Sequence, residues 1–177
     1  MSSERAGGAT FRPAFIPTLS TRCQIQNRHR YAAVPGISRI ARDQWLAIGD
    51  IDHFKRVNDT FGHDTGDRVI NAVARSLARL TDDKCHAARH GGEEFVMLFR
   101  GISLDEAKAR LDTARETLGN RRFVKEASDE VIGLVTFSGG IADVFGHDSP
   151  RLALRAADGS LYRAKEQGRN RICVTGE

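Results

Sequence analysis

Three short runs of this chain put acids, glycines and cations where phosphate chemistry could use them. The first is Asp50-Ile51-Asp52, which follows the apolar run Trp45-Leu46-Ala47-Ile48 and Gly49. That run reads as a buried strand with acids at its C-terminal end. Alternate residues of a strand share a face, so the two carboxylates point the same way, or else sit where the strand end splays. Paired acids at a strand terminus suit Mg²⁺, a hard ion that takes oxygen ligands and keeps water and phosphate in its shell. Acids also end strands simply to meet solvent. The second run is His90-Gly91-Gly92-Glu93-Glu94. A hairpin alone explains the glycines, which tolerate positive φ. The neighbouring carboxylates repel unless a cation or solvent compensates, so the turn also reads as backbone approaching a nucleotide beside a metal. The third is Lys165 with Arg169, spaced i, i+4 near the end of the last helical pattern. These are cations suited to a helix C-terminus, or a clamp on phosphate oxygens in which Arg supplies a fork and Lys a point charge.

The elements that would position these runs are legible from periodicity. A short helix is expected around Phe54 to Thr60, stopped by Phe61-Gly62. A longer one starts near Thr65-Gly66, with Val69, Ile70, Val73, Leu77 and Leu80 on one face. Strands near Cys85 to Arg89 and Phe95 to Phe99 flank the Gly-Gly turn as a hairpin. Ser103 and Glu106 form a capping box opening a helix that turns Leu104, Ala107, Leu111, Ala114 and Leu118 inward. Val131 to Ser138 reads as one strand, after which Gly139-Gly140 either bends it or lets it pass close to a neighbour. Ser149-Pro150 starts the last helix, Gly168 closes it, and Arg171 to Val174 is a final strand. Residues 1–20 read as a loosely ordered tail and 21–177 as one domain, with a weakly helical stretch from Thr21 to Asp43. The expected fold is an α/β sandwich whose central, mostly antiparallel sheet is covered by helices.

With 177 residues, the chain is long enough for one domain with a full core. Its 40% hydrophobic and 28% charged residues are ordinary for a folded globular protein. A net charge of +4 permits an anionic ligand, but the cations are scattered and no aromatic–basic platform accompanies them, so DNA and RNA are not expected partners. Cys23, Cys85 and Cys173 are far apart and unpaired in pattern, which suits a reducing compartment. No stretch approaches the roughly 20 apolar residues of a membrane span, and Met1 to Ser20 lacks the apolar run of a secretory signal. A cytoplasmic location away from membranes is the expectation.

Order and spacing taken together resemble the GGDEF family of diguanylate cyclases. Asp50-Ile51-Asp52-His53-Phe54-Lys55-Arg56-Val57-Asn58-Asp59-Thr60-Phe61-Gly62-His63, then Gly66-Asp67, resembles that family's first block. Gly91-Gly92-Glu93-Glu94-Phe95 is similar to its signature in the Glu-for-Asp form. Val135 to Ala142 resembles its later strand, and Ala157-Asp158, Leu161 to Lys165 and Gly168-Arg169-Asn170 resemble its closing helix. The resemblance runs from about Asp43 to Val174.

It implies a fold similar to the polymerase palm and the class III nucleotidyl cyclases, and an enzyme that condenses two GTP into cyclic di-GMP with release of pyrophosphate. It further implies Mg²⁺ (or Mn²⁺) held by Asp50, Glu93 and the carbonyl of Ile51. Glu94 would be a further catalytic acid beside Glu93, as metal contact or base for the 3′-hydroxyl. Asn58 and Asp67 would read guanine, while Lys55, Lys165, Arg169 and the amides after Phe54 would hold the triphosphate. One GTP per domain implies a homodimer, at least transient, and an upstream sensor or regulatory protein is a further expected partner. Two segments depart from the family. Its Asp-x-Leu-Thr-Gly-Leu-x-Asn-Arg pattern is matched at Ser20 to Arg28 only by Ile25, Asn27 and Arg28, beside the implied guanine pocket. Its Arg-x-x-Asp product-inhibition site falls on Asp82-Asp83-Lys84-Cys85, which lacks both key residues, so no feedback through that surface is expected. The alternative to an active cyclase is a degenerate module of the family that binds GTP or a partner protein without turnover.

Overall fold

Gln44–Ile51 forms the strand (β1) that the Trp45–Ile48 run foretells, and everything that matters for the site is arranged around its C-terminal end. The computed structural model describes residues 43–124 and 131–177. The expected tail 1–20, the Ser20–Arg28 segment and nearly all of the stretch 21–43 lie outside the described residues. Helices α1 (Phe54–Phe61) and α2 (His63–Ala78) follow β1, then strands β2 (Cys85–Gly91) and β3 (Glu94–Arg100) and helix α3 (Leu104–Gly119). Strands β4 (Arg122–Val124), β5 (Val131–Leu134) and β6 (Phe137–Asp143), helix α4 (Pro150–Glu166) and strand β7 (Ile172–Val174) complete the described chain.

Five strands form one sheet in the order β2-β3-β1-β6-β7. All its pairings are antiparallel except β6 with β7. The mixed, mostly antiparallel α/β expectation is met. Side chains alternate across the sheet, so Ala47, Met97 and Ile141 face one way and Ile48 and Ala142 the other. The first set joins Val57 of α1, Val69, Ile70, Val73 and Leu77 of α2, and Ala107, Leu111, Ala114 and Leu118 of α3 in the main core. The second set packs against Ala157 and Leu161 of α4, the helix that covers the opposite face.

Several boundaries differ from the sequence expectation, for local reasons. Helix α2 begins at His63, two residues before Thr65, directly after Gly62, whose φ of 85° separates it from α1. Leu80 lies past the end of α2 and is a half-buried neighbour of the core rather than part of the helical stripe. Only half of the capping box forms: Ser103 Oγ accepts from the Glu106 amide at 3.2 Å, but the Glu106 carboxylate turns to Arg110 at 2.7 Å. The ion pair one turn along the helix outcompetes the return bond to Ser103. The stretch Val131 to Ser138 is two strands, not one. β5 pairs with β4 in a separate two-stranded ribbon, and the chain crosses at Val135-Thr136 into β6 of the main sheet. β-branched composition does not distinguish one long strand from two short ones in different sheets.

Gly139 and Gly140 sit inside β6, and close approach explains both. A Cβ at Gly140 would collide with the backbone of Ala157 and Leu161 in α4, and one at Gly139 would come within 2.8 Å of Ile172 Cδ1. The obstacle at Gly140 is helix backbone, which cannot rotate away. Gly140→Ala is therefore expected to cost about 3 kcal/mol, the upper range for overpacking, read as a lowered denaturant midpoint. A loss below about 1 kcal/mol would mean that α4 can slide from the sheet at little cost.

Candidate active site

The antiparallel register places Asp50 of β1 opposite Glu94 of β3 on one side and Ser138 of β6 on the other. Asp50 and Glu94 are thus cross-strand neighbours on the α4 face. The hairpin between β2 and β3 brings in the third acid. Its turn is closed by pairing of Gly91 with Glu94 after a bulge, and Gly92 takes φ 50°. Arg89 Nε donates to Gly92 O at 2.8 Å, and the amide of Ile51 donates to Glu93 O at 3.3 Å. The second bond fastens the turn to the end of β1, so Asp50, Glu93 and Glu94 share one corner.

Lys165 reaches this corner from the last turn of α4, with Nζ 2.8 Å from Asp50 Oδ1. Burial raises the Asp50 pKa above its ordinary value. The hydrogen bond and charge of Lys165 pull it down, while Glu93 and Glu94 push it up again. Lys165 pairs with Asp50, while Glu93 and Glu94 add negative charge near enough for Asp50 to feel it.

The two acids of the Asp-Ile-Asp run part company. Asp52, 6% exposed, accepts from Thr136 Oγ1 at 2.7 Å, Ser138 Oγ at 2.7 Å and the Asn170 amide at 3.1 Å. Its own amide donates to Thr136 O at 2.9 Å. Of the two alternatives for this run, the splayed strand end is the one realised. Asp50 serves the corner and Asp52 is satisfied internally. The hydroxyls of Thr136 and Ser138 were not singled out from sequence, although two polar residues at alternate positions of an otherwise apolar run are the signal that marks them.

The pairing of Lys165 with Arg169 is not a helical i, i+4 pair, which corrects the sequence reading. Helix α4 ends at Glu166 with Gln167 as its cap, Gly168 closes it at φ 108° as expected, and Arg169 and Asn170 follow past the helix at φ 64° and 47°. Arg169 is held by its amide to Ala164 O at 2.9 Å, and its guanidinium has no carboxylate partner among the described residues. Lys55 projects into solvent from the first turn of α1, 3.9 Å from Asp59. Phe54 is buried at the start of that helix, whose first turn carries no acid to compete for an anion. Asn58 Oδ1 is buried and has no hydrogen-bond partner among the described residues. It lies against Gly66, where any Cβ would displace it, and Asp67 is exposed next in the chain. The turn at Asp82 to Cys85 is a separate surface, where Asp82 pairs with Arg110 of α3 at 2.8 Å.

Among the described residues no three His, Cys, Asp or Glu side chains form a ready-made metal cage. Mg²⁺ does not require one, since it keeps several waters and binds through one or two carboxylates plus phosphate oxygens. Asp50, Glu93 and the Ile51 carbonyl are all oxygen donors, at a corner where Glu93 and Glu94 add negative charge beside the Lys165–Asp50 pair. The residues fit the ion. No helix among the described residues is long and apolar enough to cross a membrane.

Comparison with known proteins points the same way as this geometry. A family model described as diguanylate cyclase, GGDEF domain, matches residues 19–171. Diguanylate cyclase VdcA of Vibrio cholerae is 38% identical over 127 residues, covering 72% of this chain and 38% of VdcA. Diguanylate cyclase DgcP of Pseudomonas aeruginosa is 39% identical over 132 residues, covering 75% of this chain and 19% of DgcP. This chain thus spans well under half the length of these curated relatives. Among solved structures, the GGDEF domain of DgcB from Caulobacter crescentus in complex with c-di-GMP superposes with a TM-score of 0.74 at 37% identity, covering 76% of this chain and 78% of that one. The active GGEEF domain of a diguanylate cyclase from Vibrio cholerae gives 0.67 at 30% identity, covering 77% and 85%.

Proposed function

Because this chain belongs to the GGDEF family, we propose that it is a diguanylate cyclase that condenses two GTP into cyclic di-GMP and releases pyrophosphate. The observation that carries this reading is the corner where Asp50, Glu93 and Glu94 meet beneath Lys165. Asp50, Glu93 and the Ile51 carbonyl would hold Mg²⁺ or Mn²⁺. A bound divalent ion supplies Lewis-acid polarisation of phosphate oxygens and a lower pKa for a nearby hydroxyl.

The protein's own part is positioning and proton handling. Glu94 accepts the proton of a ribose 3′-hydroxyl. That oxygen then attacks the α-phosphorus of the GTP on a facing domain, and the bond to pyrophosphate breaks. Lys165, Arg169, Lys55 and the free amides after Phe54 take the triphosphate oxygens. Lys165 then exchanges its bond to Asp50 for one to phosphate. Asn58 and Asp67 read the guanine edge, and the buried unpartnered Asn58 Oδ1 supports this, because guanine N1–H and N2–H₂ are donors. Each domain presents one GTP, so two copies must face each other, as a homodimer that forms at least transiently. A regulatory protein is a natural further partner; SiaD of Pseudomonas aeruginosa has been solved with its activator SiaC.

The direct test incubates the purified chain with GTP and Mg²⁺, free and fused to a dimerising coiled coil, and measures cyclic di-GMP. Product is expected from GTP and not from ATP. If no product forms even when dimerisation is enforced, while GTP still binds, the chain is a binding module of the family instead.

A further inference from the structure

The loop that carries Arg169 is unusual in spending two successive non-glycine residues in the left-handed region, at φ 64° and 47°, directly after Gly168 at 108°. Left-handed backbone is unfavourable for residues with a Cβ and persists where the surroundings over-determine it. Two braces do so here, and both grip Asn170. From the sheet side, the buried Asp52 carboxylate accepts the Asn170 amide at 3.1 Å while Thr136 and Ser138 fix that carboxylate from β6 and the residue before it. From the helix side, Arg115 of α3 donates from Nη1 to Asn170 Oδ1 at 3.0 Å. Arg115 is itself aimed by Asp112 at 2.8 Å and Glu116 at 3.2 Å. The Arg169 backbone is tied in as well: its amide donates to Ala164 O at 2.9 Å and its carbonyl accepts from Arg171 Nε at 3.2 Å. Its side chain thus extends from a fixed backbone beside a residue held at both its backbone and its side chain.

We propose that Asp52 and Arg115 are positioning residues for nucleotide binding: by clamping Asn170 they set the backbone from which Arg169 reaches the triphosphate. The proposal rests on the reading of Arg169 as a phosphate ligand. It gives Asp52 a purpose distinct from Asp50, since its carboxylate is occupied by three donors and has no need of a metal. It also ties the strand end that carries Asp50 to the arm that would grip phosphate, so the two halves of the site keep a fixed separation. Arg115 lies in the C-terminal half of α3, in a region that no motif marks.

The test is a set of double-mutant comparisons on the full chain, reading GTP affinity by calorimetry and KM and kcat by cyclic di-GMP formation. Arg169→Ala should weaken GTP binding about tenfold, the size expected for a lost charge-assisted contact. Arg115→Ala and Asp52→Ala should each weaken it several-fold, raise KM more than they lower kcat, and have no further effect when Arg169 is already alanine. Asp52→Asn should recover most of the affinity, because its amide oxygen can still accept from the Asn170 amide while its NH₂ donates to Ser138. A metal ligand would not be rescued that way. If Asp52→Ala does not fold, Arg115→Ala carries the comparison alone. Equal losses in the wild-type and Arg169→Ala backgrounds would overturn the proposal and leave the phosphate role of Arg169 standing. An unchanged GTP affinity in Arg169→Ala would instead remove that role, and the proposal with it. Unchanged affinity in both brace variants, with Arg169→Ala impaired, would also overturn it.

Discussion

Glu94→Gln should lower cyclic di-GMP formation by at least about 10²-fold, the usual weight of a general base, with GTP affinity nearly unchanged. The substitution keeps the size of the side chain and removes its charge, so what is lost is the ability to take a proton or support a cation. Glu94 is the acid best placed for this. It opens β3, it lies half-exposed at the mouth of the hairpin, and the ladder sets it directly opposite Asp50. The same placement predicts a second effect of opposite sign. Like charges facing each other across an antiparallel pair are destabilising by a few tenths to about 1 kcal/mol, so Glu94→Gln should be as stable as the wild type or slightly more so in the absence of metal. Mass-spectrometric quantification of product and a thermal unfolding midpoint give the two readings. Retention of more than about a tenth of the activity would take Glu94 out of the chemistry and leave Glu93 as the acid to examine.

How far the sequence discloses this site differs from residue to residue, and the differences have physical causes. The strand-helix-hairpin order was legible because the stripes of α2 and α3 and the apolar run of β1 carry strong periodic signals. Asp50, Glu93 and Glu94 were nameable from motif and spacing, but their meeting depends on a strand register that no local pattern states. Glu94 faces Asp50 only because β3 pairs with β1 in one frame, and a slip by one residue would turn it to the other face. The i, i+4 spacing of Lys165 and Arg169 suits a shared helical face, but α4 ends at Glu166 and the positive φ values of Gly168, Arg169 and Asn170 put Arg169 in the loop beyond it. Asp52 looked like the twin of Asp50 until its hydroxyl partners, 84 and 86 residues away in sequence, were located. Arg115 carried no signal at all, being one more cation on an amphipathic helix. Local chemistry is written in short spacings, whereas bracing contacts are long-range and emerge only with the fold.

Asp50→Asn is expected to abolish turnover, by about 10³-fold or more if both metal binding and phosphate polarisation depend on this carboxylate. It should do so without loss of apo stability. Burial holds the Asp50 carboxyl above its ordinary value of 3.8 against the hydrogen bond and charge of Lys165, with a smaller push in the same direction from Glu93 and Glu94. A raised pKa means that the folded chain binds this proton more tightly than the unfolded chain does. Its contribution therefore falls as pH rises through the interval between the unfolded carboxylate value and the higher folded one, and the cost is fully present above that interval. Asparagine removes this dependence, though it also leaves Lys165, one-third exposed, without its partner. Because the net shift at Asp50 is upward, the burial and repulsion relieved outweigh the ion pair lost, and the variant should unfold at the same temperature as wild type or above it at neutral pH. Mg²⁺ with GTP should then separate the two proteins. Ligands that bind only the folded state raise its stability in proportion to the logarithm of their concentration over Kd, so wild type should gain in unfolding temperature on adding both, and Asp50→Asn should gain only what GTP alone provides. A variant that is less stable without metal, yet responds to Mg²⁺ as wild type does, would show that Asp50 serves the fold through Lys165 and that the cation is held elsewhere.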